Sequence, residues 1–249
     1  MIRYYTKNLL TCSATYVGAA VLCIAMLTSM IGQRYTGALL YEYQYSNTLG
    51  IAVFFAPVVT VLPICYIRRE MLNKEVWHMV LLRSSPLRYC IGGLLGSVVS
   101  GALVAILASL GFLLFCVLVL GGPVNLKVSL FNGTEPFYAG KSGELLLLIR
   151  VLVHAANGAL WASVAYAVSA FTGNTYISAA APSLLNILAG YITQHFGWTY
   201  ADPSQLTLTG NALLFPYGGL IYAGSYILLV IIVCGLLFYL RLRRRLCHG

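Results

Sequence analysis

Long apolar runs alternate with short polar connectors along this chain. Apolar positions dominate near 12–31, 49–67, 91–120, 145–170, 175–194 and 217–240. A run of about 20 apolar residues is long enough for one α-helix to cross a hydrocarbon layer. The alternating short strands of a membrane β-barrel are missing from these runs. The pattern therefore predicts an all-α, polytopic membrane protein with six transmembrane helices in a single transmembrane domain over 1–249. The third and fourth runs exceed the required length, so those helices must tilt or extend past the membrane. The first run has no small-residue cleavage site after it, and Gln33 and Arg34 follow directly, so it reads as a retained helix and not a signal peptide. Pro57 and Pro63 predict a kink in the second span, and Pro182 and Asn186 place a helix irregularity and a polar point in the fifth.

The connectors carry their own patterns. Residues 68–90, RREMLNKEVWHMVLLRSSPLRYC, form a charged and amphipathic segment between two apolar runs. No Pro or Gly interrupts Glu70 to Arg83, and Val76, Met79, Val80 and Leu82 fall near helical spacing, which predicts a short helix along the membrane face. Pro86 biases Ser85 away from helix, so the chain turns there before the third span. Read by periodicity alone, this helix serves as an interfacial anchor. In Met1 to Leu10, Ile2, Tyr5 and Leu9 share a helical face with Arg3 and Lys7 between them, predicting an amphipathic N-terminal segment or a frayed basic terminus. Residues 195–216 are too apolar for a free loop and are broken by Pro203 and Gly210, which predicts a re-entrant hairpin. Residues 33–48 and 121–144 read as loops on the same side.

Composition and charge add an orientation. Hydrophobic residues make up 60% of the chain and charged ones 8%, with mean hydropathy +0.85, which excludes a water-soluble domain of useful size. With the N-terminus cytoplasmic, the inner side receives Arg3, Lys7, Arg68, Arg69, Lys74, Arg83, Arg88, Arg241, Arg243, Arg244 and Arg245, leaving only Arg34, Lys127, Lys141 and Arg150 at the outer side. Both termini are then cytoplasmic. The net charge of +9 follows from this bias and points to anionic membrane lipid as a partner, with no nucleic acid. None of the seven cysteines falls in a predicted outer loop, and no Cys/His spacing suggests a metal. The sequon Asn132-Gly133-Thr134 is too common a pattern to carry weight.

Polar residues inside the runs are the candidate chemistry. Arg150, His154, Asn157 and Trp161 lie on one helical face, and such residues usually face a bundle interior or a cavity. Arg150 is expected to snorkel to the outer headgroups with His154 one turn deeper. His154, Asn157 and Asn186 are the candidate substrate path, against a purely structural role. Phe196, Trp198, Tyr200 and Phe215 are candidates for an outer gate, or for an aromatic belt at the membrane interface. In the third span Gly93, Ser97, Gly101, Ala105 and Ser109, with Gly92, Gly96 and Ser100 beside them, form a small-residue face for close helix packing. An intramembrane enzyme would need a nucleophile with a base or paired carboxylates, yet the predicted spans hold no Asp, and Ser163 cannot touch His154 on the same helix. An ion channel would need a filter loop or an acidic ring within a span. Neither is legible.

The stretch Glu70, Trp77, Leu81, Leu82, Arg83, Ser84, Ser85, Pro86, Leu87, Arg88, followed by Gly92, Gly93 and Gly96, resembles the second intracellular segment of ABC-2 type transporter permeases. The match covers about 27 residues. The sequence departs from the family at Asn73 to Glu75, where many members carry a Gly-Thr-like turn. The resemblance implies a type V exporter-like bundle in which 68–90 is a cytoplasmic coupling segment docked on a separate nucleotide-binding ATPase. Glu70, Trp77, Leu81, Leu82, Arg83, Ser84, Pro86 and Arg88 would make that contact. It further implies that 1–10 is an elbow helix, that 195–216 closes an outer exit, and that a second permease copy or paralogue completes the transporter. No P-loop is present. The chain is thus expected to be no enzyme and to hold no cofactor, with ATP and Mg bound by the partner subunit. The function implied is export of an amphipathic or hydrophobic peptide, lipid or drug across a bacterial cytoplasmic membrane by alternating access. Immunity to, or sensing of, antimicrobial peptides is the alternative within the same fold.

Overall fold

The structure, a computed structural model of the chain, is described for residues 11–30, 39–48, 51–73, 85–119, 143–172, 174–198, 201–204 and 219–248. Among these residues every regular element is a helix. They are α1 (Ser13–Thr28), α2 (Leu39–Thr48), α3 (Ala52–Val59), α4 (Leu62–Asn73), α5 (Pro86–Leu118), α6 (Gly143–Val168), α7 (Thr175–His195) and α8 (Gly219–His248). Five stretches are long and apolar enough to cross a membrane: Ala52–Met71, Pro86–Leu118, Gly143–Val168, Thr175–His195 and Gly219–Cys247. This architecture is compatible with a multi-pass membrane protein. Helix α1, at 16 residues, is apolar but shorter than those five.

Each expected apolar run falls on helix, and the boundaries move for local reasons. The second run is divided in two, α3 and α4, at Thr60–Val61. Pro63 has no N–H to give the Val59 carbonyl, and the Thr60 hydroxyl bonds back to Ala56 O at 2.6 Å, so the backbone ladder is interrupted there. Gly18 of α1 faces that step: a Cβ on it would lie 2.9 Å from Val59 O. Helix α4 then continues through Asn73, so residues 68–73 belong to the second span's own helix and not to a separate connector. Ser85 and Pro86, expected as a turn ahead of the third span, are its first residues. Ser85 is extended (φ −63, ψ 147) and its hydroxyl accepts from Arg88 N, with Pro86 in the first turn, where its missing N–H costs nothing.

A second correction concerns 39–48, which reads as outer loop but forms α2. Glu42, Tyr43, Ser46 and Asn47 are buried, because this polar helix packs across the bundle against α1, α3, α5 and α6. Its composition carries too little hydrophobicity to register as a span, yet Leu39, Tyr43, Ser46 and Asn47 recur at helical spacing.

Helices α5 and α6 form the central antiparallel pair. All eight residues of the expected small-residue face are buried, and the helix they admit is α6 of the same chain. Gly158 and Gly101 meet backbone to backbone: a Cβ on Gly158 would fall 2.5 Å from Gly101 O. Gly93 makes room for the Tyr166 ring. Around this pair, α1 runs parallel to α5, with Gly18 near Val104 and Gly111 near Cys23. The last helix, α8, lies antiparallel to α5, with Gly235 against Leu94 and Phe238 beside Tyr89. Phe238 also stacks on Tyr166 of α6 at 4.1 Å. The bundle therefore has two distinct ends, one covered by α2 and one holding Arg68 and Arg241.

Candidate functional site

At the α2 end, four helices and a turn line a partly open pocket formed by Asn47, Ala52, Val53, Ala56, His154, Asn157, Trp161, Asn186, Pro203 and Ser204. The candidate path residues His154, Asn157 and Asn186 thus converge, from α6 and α7, on one wall system. Asn47 from α2 joins them. The same periodicity that aligns Arg150, His154, Asn157 and Trp161 in the sequence puts all four side chains in the interior. Arg150 is 6% exposed and covered by protein, so it does not snorkel outward as expected.

The site is supported by a hydrogen-bonded latch between α2, α5 and α6. Ser109 Oγ lies 2.8 Å from the Tyr43 hydroxyl and 3.0 Å from His154 Nδ1, and it also donates to Ala105 O at 2.7 Å. Ser109 has one proton. With that proton on the Ala105 carbonyl, both Ser109 lone pairs are met if Tyr43 O–H and His154 Nδ1–H donate to it. That arrangement places the His154 lone pair on Nε2. Burial pushes the Tyr43 phenol well above its usual range, against smaller opposing effects of Ser109, Asn47 and the Arg150 guanidinium, so it stays a donor.

A Ser–His contact raises the question of nucleophilic chemistry. Ser109 is fully buried, its oxygen is surrounded by Tyr43, His154 and Ala105 O, and it does not line the cavity. No substrate carbonyl can reach it, and the arrangement is a structural latch. Among the described residues no group of three His, Cys, Asp or Glu side chains converges as a metal site.

The cavity is rich in acceptors. The Oδ1 atoms of Asn47, Asn157 and Asn186 are buried and make no hydrogen bond, while Asn47 Nδ2 donates to Tyr43 O. A buried amide oxygen left unmet costs about 1–3 kcal/mol, so three around one pocket mark a place where water or a bound molecule supplies donors. Ser204, also on the lining, gives its proton to Asp202 Oδ1 at 2.8 Å. Trp161 supplies the one indole donor among the lining groups.

The other candidate residues are spread out. Phe196 and Trp198 stack on each other at 5.3 Å and are 60% exposed, away from the cavity lining. Glu70 is half-buried near the end of α4, Pro86 and exposed Arg88 open α5, and Trp77, Leu81, Leu82, Arg83, Ser84, Tyr200 and Phe215 lie outside the described residues, as does segment 1–10. Of the re-entrant segment, 195–198 and 201–204 are described, and Pro203 and Ser204 line the pocket. Tyr43, Asn47 and Ser109 are the contributors that sequence patterning missed as site residues. The signal for the first two was the face of α2.

No protein-family model matches this chain, and no characterised protein or solved structure is similar to it at a significant level. A functional reading therefore rests on its own residues.

Proposed function

We propose that this chain is the permease subunit of an ATP-driven exporter of the ABC-2 type, with α1 as a sixth span beside the five long ones. The observation that carries a transport role is the pocket between α2, α3, α6 and α7 and the buried amide oxygens that line it. Buried amide oxygens without a partner in the chain are met by ordered water or by the donors of a bound molecule. Peptide-like or amine-bearing amphipathic cargo supplies such donors, with its apolar part in the helical walls. The ATP-driven part of the reading is supported by the resemblance over Glu70 to Gly96, in which 68–90 is the coupling segment for a separate ATPase. Both termini are cytoplasmic in this reading, the membrane is a bacterial cytoplasmic membrane, and a second permease copy or paralogue completes the pathway.

The test is co-purification of the tagged chain with an ATPase from its native membrane. The expected result is a stable complex that Leu81→Asp with Leu82→Asp abolishes while the amount of membrane-inserted chain is unchanged. A complex that survives the double substitution overturns the coupling assignment.

A further inference from the structure

A second pocket, open on one side, lies at the opposite end of the bundle between α4, α6 and α7. Among the described residues its polar lining includes Arg68, Ser169, Thr172, Asn174, Thr175 and Ser178, and none of the lining residues is a carboxylate. The Arg68 guanidinium is seated over the Tyr166 and Phe238 rings at 5.4 and 4.7 Å. Aromatic faces hold its position and leave its donors for another partner. Its Nε is buried without a hydrogen bond, and a terminal nitrogen reaches Ser169 O only at a long 3.4 Å.

The hydroxyls beside it are also weakly engaged. Thr172 Oγ1 reaches Val168 O at 3.3 Å, Ser178 Oγ reaches Asn174 O at 3.2 Å and the two hydroxyls lie 3.1 Å from each other, all long for O–H···O, so an oxyanion between them is a better acceptor than any of these partners. Helix α7 begins at Thr175 and adds the positive end of its dipole to the same space. A second guanidinium, Arg241, lies over Phe171 at 5.7 Å with its own Nε buried and unbonded. Guanidinium, hydroxyls and helix start together match an oxyanion with several acceptor oxygens better than a planar carboxylate. Phe171, Tyr176 and Ile177 are exposed at the rim, where an acyl chain would lie.

We infer that this cavity binds a phosphate group, with Arg68 as its principal ligand. The inference is independent of the transport reading. The phosphate of an anionic lipid headgroup and a free phosphate share this chemistry, and the experiment separates them. The full chain is placed in phosphatidylcholine nanodiscs and titrated with dioctanoyl-phosphatidylglycerol, read by native mass spectrometry, and in a second arm with inorganic phosphate as competitor.

One saturable equivalent of lipid per chain is expected. Arg68→Gln should weaken it about tenfold and Thr175→Val about threefold, as loss of a charged and a neutral donor would. Arg245→Gln, an exposed tail arginine, should leave it unchanged. Displacement by millimolar phosphate identifies a free phosphate as the occupant, and resistance to it identifies the lipid. If Arg68→Gln does not fold, Arg68→Lys, which keeps the charge but not the fork, replaces it with the same direction of effect. Equal weakening by Arg245→Gln means diffuse surface charge, and wild-type binding in the Arg68 and Thr175 variants means no site. Either outcome overturns the inference.

Discussion

Ser109 and Asn157 are both buried polar residues facing the middle of the bundle, and they differ in what their oxygens meet. Ser109 is saturated by Tyr43, His154 and its own helix. Asn157 Oδ1 meets nothing. Opposite consequences of substitution follow. Ser109→Ala and Tyr43→Phe should each lower stability by about 1–2 kcal/mol, seen as a lower thermal midpoint in detergent, and the double variant should cost less than the sum because the latch is shared. Strictly additive losses would mean the three groups do not act together. Asn157→Leu removes an oxygen that has no partner, so its thermal midpoint should stay level or rise while cargo-stimulated ATPase activity of the complex falls. Loss of stability without loss of stimulation would make Asn157 a structural residue. The stripe from Arg150 to Trp161 was readable because a period of 3.6 is a property of one helix. Its partners Tyr43, Asn47 and Ser109 come from other helices, and no spacing rule relates residues 66 or 111 positions apart.

At the scale of elements, the α5–α6 pairing depends on the absence of side chains. Without a hydrophobic drive between helices in lipid, close approach and packing supply much of the association. A Cβ at Gly158 would meet Gly101 O at 2.5 Å and Ala105 Cβ at 3.2 Å, and backbone cannot step aside as a flexible side chain can. Gly158→Ala should therefore cost about 1–3 kcal/mol and reduce the yield of folded chain. Gly224, in α8, has open space where a Cβ would stand, with nothing within 4 Å, so Gly224→Ala should be neutral or stabilising by about 0.5–1 kcal/mol. Measured side by side in one detergent, equal effects would show that helix propensity and not contact governs both. The small-residue rows were legible in α5. That they admit α6 of this chain, and not a neighbouring subunit, was not, since a row of glycines offers space without naming its occupant.

For the whole molecule, the alternation of helices puts the start of α1 and the end of α8 at the Arg68 end. Cys247, near the end of α8, is exposed, while Cys12, Cys65, Cys90, Cys116 and Cys234 are buried. With the cytoplasmic termini proposed above, a membrane-impermeant maleimide should label Cys247 in inside-out vesicles and not in intact cells. Labelling in intact cells instead would reverse the orientation. The sequence by itself determined what depends on one segment at a time: the helical class, six apolar runs, the Pro57–Pro63 irregularity, the small-residue face of α5 and the polar face of α6. Those follow from local sterics and from the length of chain needed to cross a hydrocarbon layer. Only the tertiary structure decided that α2 is a helix inserted across the bundle, that Arg150 is covered, and that three unmet amide oxygens share one cavity. A polar helix has no hydropathy signal, and a hydrogen bond left unmade becomes visible only once every neighbour that might have made it is in place.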